Sequence, residues 1–259
     1  LEKLLKMTDL HALFKLSRVE SARLGAPVHR VDIPVDVEPI DVAALMQLAK
    51  KMGQLAIIRC DVLNFVMWRA LMSAGVGLFD ILEEFRGPTE VAMGPSVLKQ
   101  DDDIIAADAL DSKDFSACLS LCGEAFQGIE NHYSLDSRIP RDWIRGSYED
   151  WLAQLTKEGS QDSGAWIRLD NGSVIGFVVW RLAESACLDI SLYATRSSFQ
   201  GRGIATELIR FAAQQALKSG KLATHVRLAT QAWNMPSKAT ALRVGLMPYR
   251  TQLTFHLWS

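Results

Sequence analysis

The stretch from Cys187 to Leu217 constrains the fold more than any other part of the chain. Cys187-Leu-Asp-Ile-Ser-Leu-Tyr-Ala194 reads as a strand. Phe199-Gln-Gly-Arg-Gly-Ile-Ala205 follows as a glycine-bearing loop, and Thr206–Leu217 has the spacing of a helix. A strand, such a loop and a helix start make an anion site. Glycine lets the backbone approach a phosphate, and the free N–H groups and dipole of the helix favour negative charge. The three-glycine dinucleotide fingerprint is absent, and no Lys-Ser/Thr follows as a nucleoside-triphosphatase loop requires. Taken alone, the stretch also fits an ordinary strand–turn–helix junction.

The rest of the chain supplies a context. Thr224–Thr230 reads as the next strand, β-branched and apolar at alternate positions. After it come Gln231-Ala-Trp-Asn234, a short helix from Pro236, Gly245-Leu246, and a last strand through Leu253–Trp258. Upstream, Lys113–Phe126 is an amphipathic helix, Asn131–Pro140 a polar loop and Pro140–Leu155 a helix. Ala165–Leu169 and Val174–Leu182 form a hairpin about Asp170-Asn-Gly172. The N-terminal part alternates strands (Val31–Val35, Leu55–Cys60, Gly77–Phe85) with helices (Pro39–Met52, Val62–Ser73). Arg86–Asp103, with Gly94-Pro-Ser and the acidic run Asp101–Asp103, is linker-like. The expected domains are therefore 1–95 and 96–259. Gly75 precedes Phe85 by the same spacing that separates Gly245 from Phe255. The N-terminal domain thus reads as a truncated copy of the C-terminal one, or as a coincidence between two αβ endings.

Composition excludes several classes. The 259 residues are 49% hydrophobic and 22% charged, enough for a sizeable core in one or two domains. A net charge of −2 argues against a nucleic-acid polymer as partner. No apolar run spans a bilayer and no signal-peptide layout is visible, so a cytoplasmic protein without a membrane partner is expected. The chain does not begin with Met, so Leu1–Lys6 reads as a trimmed or appended start. Cys60, Cys118, Cys122 and Cys187 have neither redox nor zinc spacing, and Cys118 and Cys122 share a helix face as core residues. His11, His29, His132, His225 and His256 show no ligand spacing, so no metal is expected.

On these motifs the chain resembles the GNAT superfamily of N-acetyltransferases. Gln200-x-x-Gly203-x-Ala205 matches its pyrophosphate loop, and Asn234 and Gly245-Leu246 hold the places of its pantetheine asparagine and its helix-ending glycine. The resemblance implies a mixed central sheet flanked by helices, with acetyl-CoA or another acyl-CoA as co-substrate. It assigns cofactor binding to Tyr193, Ala194, Thr195, Gln200, Gly201, Arg202, Gly203, Ile204, Ala205 and Asn234. The strand would splay near Tyr193 and Ala194, pantetheine would add as an extra strand, and one amide would polarise the thioester. Arg202 is a screening charge or a solvent-facing loop residue.

Within the superfamily the layout is similar to the sugar-nucleotide N-acyltransferases, such as those acting on TDP-fucosamine. The similarity rests on Asn131-His-Tyr133, Asp136, Ile139-Pro140, Thr230-Gln-Ala-Trp-Asn234 and Thr254-Phe-His-Leu-Trp258. It implies an amino-deoxysugar linked to a nucleotide as partner, bound by His132, Tyr133 and Arg138, and a homodimer. Other amine acceptors, or a CoA-binding protein without turnover, are the alternatives. Asp189 is the first candidate for the base that deprotonates the amine, or else a structural carboxylate within the sheet. His132 is the second candidate, or else a hydrogen-bonding substrate residue. Ser191 shares a face with Asp189. The family's tyrosine, the acid for the departing thiolate, is replaced here by Ala241. Another group then does that work, the alignment slips, or the acid is dispensable for a thiol of ordinary pKa about 8.5.

Overall fold

The computed structural model describes residues 7–33, 35, 40–94, 103–144, 146–157, 163–183, 186–218, 220 and 223–259. Leu1–Lys6 and residues 95–102 of the linker-like stretch lie outside them. In chain order the elements are α1 (Met7–Leu13), β1 (Phe14–Leu16), α2 (Arg18–Leu24), β2 (Val28–Ile33), α3 (Val42–Met52), β3 (Leu55–Asp61), α4 (Phe65–Ser73), β4 (Gly77–Pro88) and α5 (Thr89–Met93). There follow β5 (Ile104–Ala106), α6 (Ser112–Phe126), α7 (His132–Leu135), α8 (Arg141–Ile144), α9 (Ser147–Lys157), β6 (Ser163–Asp170), β7 (Ser173–Ala183) and β8 (Cys187–Thr195). The last four are α10 (Ile204–Lys218), β9 (His225–Gln231), α11 (Met235–Val244) and β10 (Met247–Trp258).

The chain forms two compact units, each assembled from separate segments. The first comprises Leu1–Glu83, Glu130–Arg145 and Arg250–Ser259, and the second Glu84–Ile129 and Gly146–Tyr249. In the first, β2 and β3 run parallel from Val28↔Leu55 to Ile33↔Cys60, and β10 pairs antiparallel with β3. Side chains alternate along β3. Ala56, Ile58 and Cys60 join Leu45 and Leu48 of α3 and Met67 and Leu71 of α4. Leu55 and Ile57 join Ile139 and Trp143 on the other face. This is the period-two burial of a strand covered on both sides.

In the second unit, β6, β7 and β8 are antiparallel and β9 is parallel to β8. The Asn171-Gly172 turn supplies the two positive φ angles, 49° and 72°, that a two-residue hairpin needs. The amphipathic α10 lays Leu208, Ile209, Ala212, Ala213 and Ala216 onto one core, with Leu188, Ile190, Val226 and Leu228. On the opposite face, α6 and α9 contribute Cys118, Leu121, Cys122 and Leu152 to a second core with Phe177, Val179 and Leu192. Burial pushes the Cys118 and Cys122 thiols up to about 12, as expected of packing residues rather than nucleophiles.

Among the boundaries that differ from the sequence expectation, three change how a stretch is read. Arg86-Gly-Pro is the end of β4, and Thr89 opens a helix whose hydroxyl donates to the Ala223 carbonyl, so this stretch is ordered core rather than linker. The loop after Asn131 holds a helical turn, because Asn131 and Ser134 form a reciprocal cap. The segment 140–155 divides at Gly146, whose φ of 72° breaks the helix.

The internal copy extends beyond Gly75 and Phe85. One constant offset relates Leu55 to His225, Asn64 to Asn234, Gly75 to Gly245 and Phe85 to Phe255. At both places a seven-residue strand leads through an asparagine-capped helix to a twelve-residue strand. Leu208 is completely buried where α10 meets β7. Leu208→Ala should therefore cost about 2–5 kcal/mol in denaturant unfolding.

Candidate functional site

The second unit carries an opening in its sheet. The parallel ladder between β8 and β9 runs only from Cys187↔His225 to Ile190↔Leu228, although the strands continue to Thr195 and Gln231. The cause lies on the other edge of β8. Val179 faces Leu192 and Trp180 faces Ile190, so Ser191 is an extra residue in the β7–β8 pairing. Such a bulge bends its strand and increases its twist, which carries β8 away from β9. The splay begins at Ser191, slightly earlier than expected from sequence.

Alternation then fixes which peptide groups face the opening. The Arg196 N–H donates to the Ile175 carbonyl across β7 at 2.8 Å. In an antiparallel pair every second residue points to the same partner, so Ala194 and Leu192 also face β7. Tyr193 and Thr195 therefore direct their N–H and C=O groups to the open edge, where the Gln200 side chain approaches the Thr195 carbonyl at 3.5 Å. An extended ligand could pair there as an added strand.

Immediately after the opening lies the start of α10. Gly201 and Gly203 have φ of 76° and 85°, with nothing within 4 Å of where a Cβ would stand. The first intrahelical bond is from the Glu207 N–H to the Gly203 carbonyl. The N–H groups of Ile204, Ala205 and Thr206 lie ahead of it, in the turn where a helix has donors to spare. A cavity of about 530 Å³ adjoins this turn, lined by Arg202, Gly203, Thr206, Glu207, Arg210 and Arg243. Three guanidinium groups and a helix N-terminus suit a diphosphate. Arg202 is exposed and also packs over the Phe199 ring.

Two supports of this loop carry no obvious sequence signal. The Arg196 guanidinium donates twice to the Val174 carbonyl, at 3.1 and 3.0 Å, and pins the strand exit to β7. Gly176 sits where a Cβ would meet Ile204 at 3.0 Å and the Ala194 carbonyl at 3.2 Å, so only glycine lets β7 approach the helix start this closely.

The first unit has the same strand–helix–strand order without the same site. Its β2–β3 ladder is paired over the whole length of β2. The segment 34–41, Pro-Val-Asp-Val-Glu-Pro-Ile-Asp, contains no glycine and three carboxylates. Asp41 itself caps α3, accepting from the Ala43 and Ala44 N–H groups. Its own carboxylate thus takes the place an anion would occupy.

The remaining sequence candidates fall into three groups. Asn234 caps α11, its carbonyl oxygen accepting from the Ser237 N–H, just as Asn64 caps α4 through Met67. Asp189 is buried and accepts from Arg181 on one oxygen and from Arg227 on the other, both at 2.9 Å, with Ser191 at 3.4 Å. This ties β7, β8 and β9 together and engages both carboxylate oxygens.

His132, Tyr133 and Arg138 belong to the first unit, in a buried polar network. Asp136 accepts from His256 Nδ1, from the Trp258 indole and from both arms of Arg138. Those donors hold its carboxyl well below the usual range despite burial. Because His256 spends its Nδ1–H on Asp136, its Nε2 accepts from His132 Nδ1 at 2.8 Å, leaving the His132 Nε2 lone pair as the end of the chain. Burial holds His132 well below the ordinary histidine value, so it is neutral near pH 7. Tyr133 donates to Glu20, which also pairs with Arg30. Arg138 keeps a side-chain exposure of 47% and lies over the Trp258 and Phe79 rings. Among the described residues no group of three or more His, Cys, Asp and Glu could hold a metal ion, and no helix is long and apolar enough to cross a membrane.

The second unit thus has a mixed sheet flanked by helices, opened by a bulge beside a glycine loop and a helix start. Residues 126–246 match the model of the Acetyltransferase (GNAT) family, and this match, with the fold, supports an acetyltransferase. Acetyl-CoA is the co-substrate this family generally uses. A functionally unknown conserved protein from Staphylococcus epidermidis is similar at 14% identity and TM-score 0.56, over 90% of this chain and 84% of that one. A GNAT-family N-acetyltransferase from Kribbella flavida gives 14% and 0.54, over 88% and 80%. A tandem GNAT protein from the clavulanic acid biosynthesis pathway gives 11% and 0.57, over 90% and 75%. Among curated proteins none matches this sequence.

Two predictions follow from this geometry. Gly203→Val places a branched side chain at φ 85°, so acetyl-CoA affinity should fall at least about tenfold by calorimetry, through loss of loop shape. The lowered values of His132 and His256 mean that the unfolded chain binds more protons as the pH falls below about 6.5. Stability should therefore decrease from pH 7 to pH 5, and His132→Phe should flatten that dependence in denaturant titrations.

Proposed function

We propose that this protein transfers an acyl group from acyl-CoA to the amine of an amino-deoxysugar carried on a nucleotide such as TDP. The observation that carries the acyl-CoA half is the early end of the β8–β9 ladder beside the first turn of α10. The thioester supplies an activated acyl group. The Tyr193 and Thr195 peptide groups bind pantetheine as a neighbouring strand, and an N–H on this edge polarises the thioester carbonyl. The N–H groups of Gly201 to Ala205, with Arg202 nearby, receive the diphosphate.

The acceptor half rests on the resemblance in Asn131–Pro140 and at the C-terminus. Arg138 is assigned to the nucleotide diphosphate, because its planar guanidinium is held by Asp136 and nearly half of the side chain is exposed. Tyr133 and His132 complete the assignment as substrate-binding residues. Of the two candidates for taking the ammonium proton, hydrogen-bond geometry favours His132, which keeps a lone pair, over Asp189, which is paired with two arginines. Division of the chain at 95/96, a homodimer and a cytoplasmic location belong to the same reading.

The test is CoA release from acetyl-CoA with TDP-3-amino and TDP-4-amino dideoxysugars, beside simple amines and polyamines. The reading predicts release with one sugar nucleotide and a fall of roughly 10²-fold or more in His132→Ala, with Asp189→Asn losing stability instead. Release only with a non-sugar amine would overturn the acceptor, and acetyl-CoA binding without release from any amine would overturn the enzymatic role.

A further inference from the structure

We propose that Tyr193 is the acid that protonates the coenzyme A sulfur as it departs, with Ser237 as the hydroxyl that orients and reprotonates it. The proposal rests on the acyl-CoA reading above. Tyr193 lies on β8 past the last residue paired with β9, and its peptide group faces the open edge. Its side chain reaches the first turn of α11, where its hydroxyl stands 2.6 Å from Ser237 Oγ. That turn is rigidly held. Asn234 caps the Ser237 N–H, and the Thr240 hydroxyl donates to the Pro236 carbonyl. Ser237 and Thr240 are largely buried, and Ser237 keeps 8% of its surface exposed, a route by which a solvent proton can return.

The position on α11 where the family resemblance places an acid is Ala241, fully buried in the apolar core that the Tyr193 ring borders. A phenol delivered from β8 against the first turn of α11 stands in for the one absent at Ala241. Burial raises the Tyr193 pKa, so the phenol keeps its proton near neutral pH. Two charged groups on the flanking elements are already engaged, while the Arg243 guanidinium of α11 lines the cavity. Asp189 is paired with Arg181 and Arg227, and the Lys238 ammonium donates to the Ala232 carbonyl.

The step balances as follows. The neutral amine nitrogen forms a bond to the thioester carbon, and its surplus proton passes to the base and then to solvent. The carbon–sulfur bond breaks with its electron pair on sulfur. The Tyr193 proton moves to sulfur, giving free CoA thiol, and a solvent proton returns to Tyr193 through Ser237. No oxidant or further reactant is required.

The experiment compares wild type, Tyr193→Phe and Ser237→Ala in two readouts. In turnover, Tyr193→Phe should lower kcat with acetyl-CoA by roughly 10²-fold or more at unchanged KM. It should recover with Se-acetyl-selenocoenzyme A, whose selenolate leaves without a proton. Ser237→Ala should fall less than Tyr193→Phe. The second readout needs no acceptor: the thiolate absorbance of bound CoA is followed against pH. Loss of one hydrogen bond to the thiolate should raise its midpoint by about one to two units in Tyr193→Phe. Wild-type kcat in Tyr193→Phe, equal losses with both donors, or an unchanged thiol midpoint would each overturn the proposal. If wild type releases CoA to no amine, the acyltransfer reading falls, while the thiol midpoint still decides whether Tyr193 addresses the sulfur.

Discussion

One extra residue in β8 organises the site. Ser191 has no partner on β7, and the bend it introduces ends the ladder with β9 at Ile190. Everything functional follows from that break. It exposes the peptide groups of Tyr193 and Thr195, and it directs the chain into the glycine loop whose backbone leads the α10 turn to the arginine-lined cavity. The bend is held in place by the Asp189 carboxylate between Arg181 and Arg227, which crosses β7, β8 and β9 below the opening. Removing one partner of such a pair would leave a buried charge uncompensated, which is strongly destabilising.

The internal copy provides a control within the same chain. Its strand–helix–strand spacing matches residue for residue around Asn64 and Asn234, so the scaffold has been kept. Among the described residues the features that would bind an anion have not. The β2–β3 ladder is closed, no glycine precedes α3, and Asp41 caps its first turn. A shared topology therefore says little about function, and a bulge and a glycine loop distinguish the candidate site from its copy.

Much of this was legible in the sequence because it depends on local chemistry. The Asn171-Gly172 turn, the Gly201–Gly203 loop and the helical face of Cys118 and Cys122 each follow from one residue type at one spacing. The missing parts depend on long-range partners. Nothing in Arg86-Gly-Pro-Thr announces that Thr89 will bond Ala223. Nor does a strand pattern reveal that Asp189 will meet two arginines, that His132 will be backed by His256 and Asp136, or that the Tyr193 hydroxyl will meet Ser237. Arg196 and Gly176 were missed for the same reason: their roles are contacts with a neighbouring strand, not features of a motif.

The most direct test of the account is amide hydrogen exchange with and without acetyl-CoA. Protection should appear at Tyr193 and Thr195 and from Gly201 to Thr206, with no change across Val28–Ile33 or at the start of α3. Protection confined to β2 and α3, or absent from both units at saturating acetyl-CoA, would contradict it.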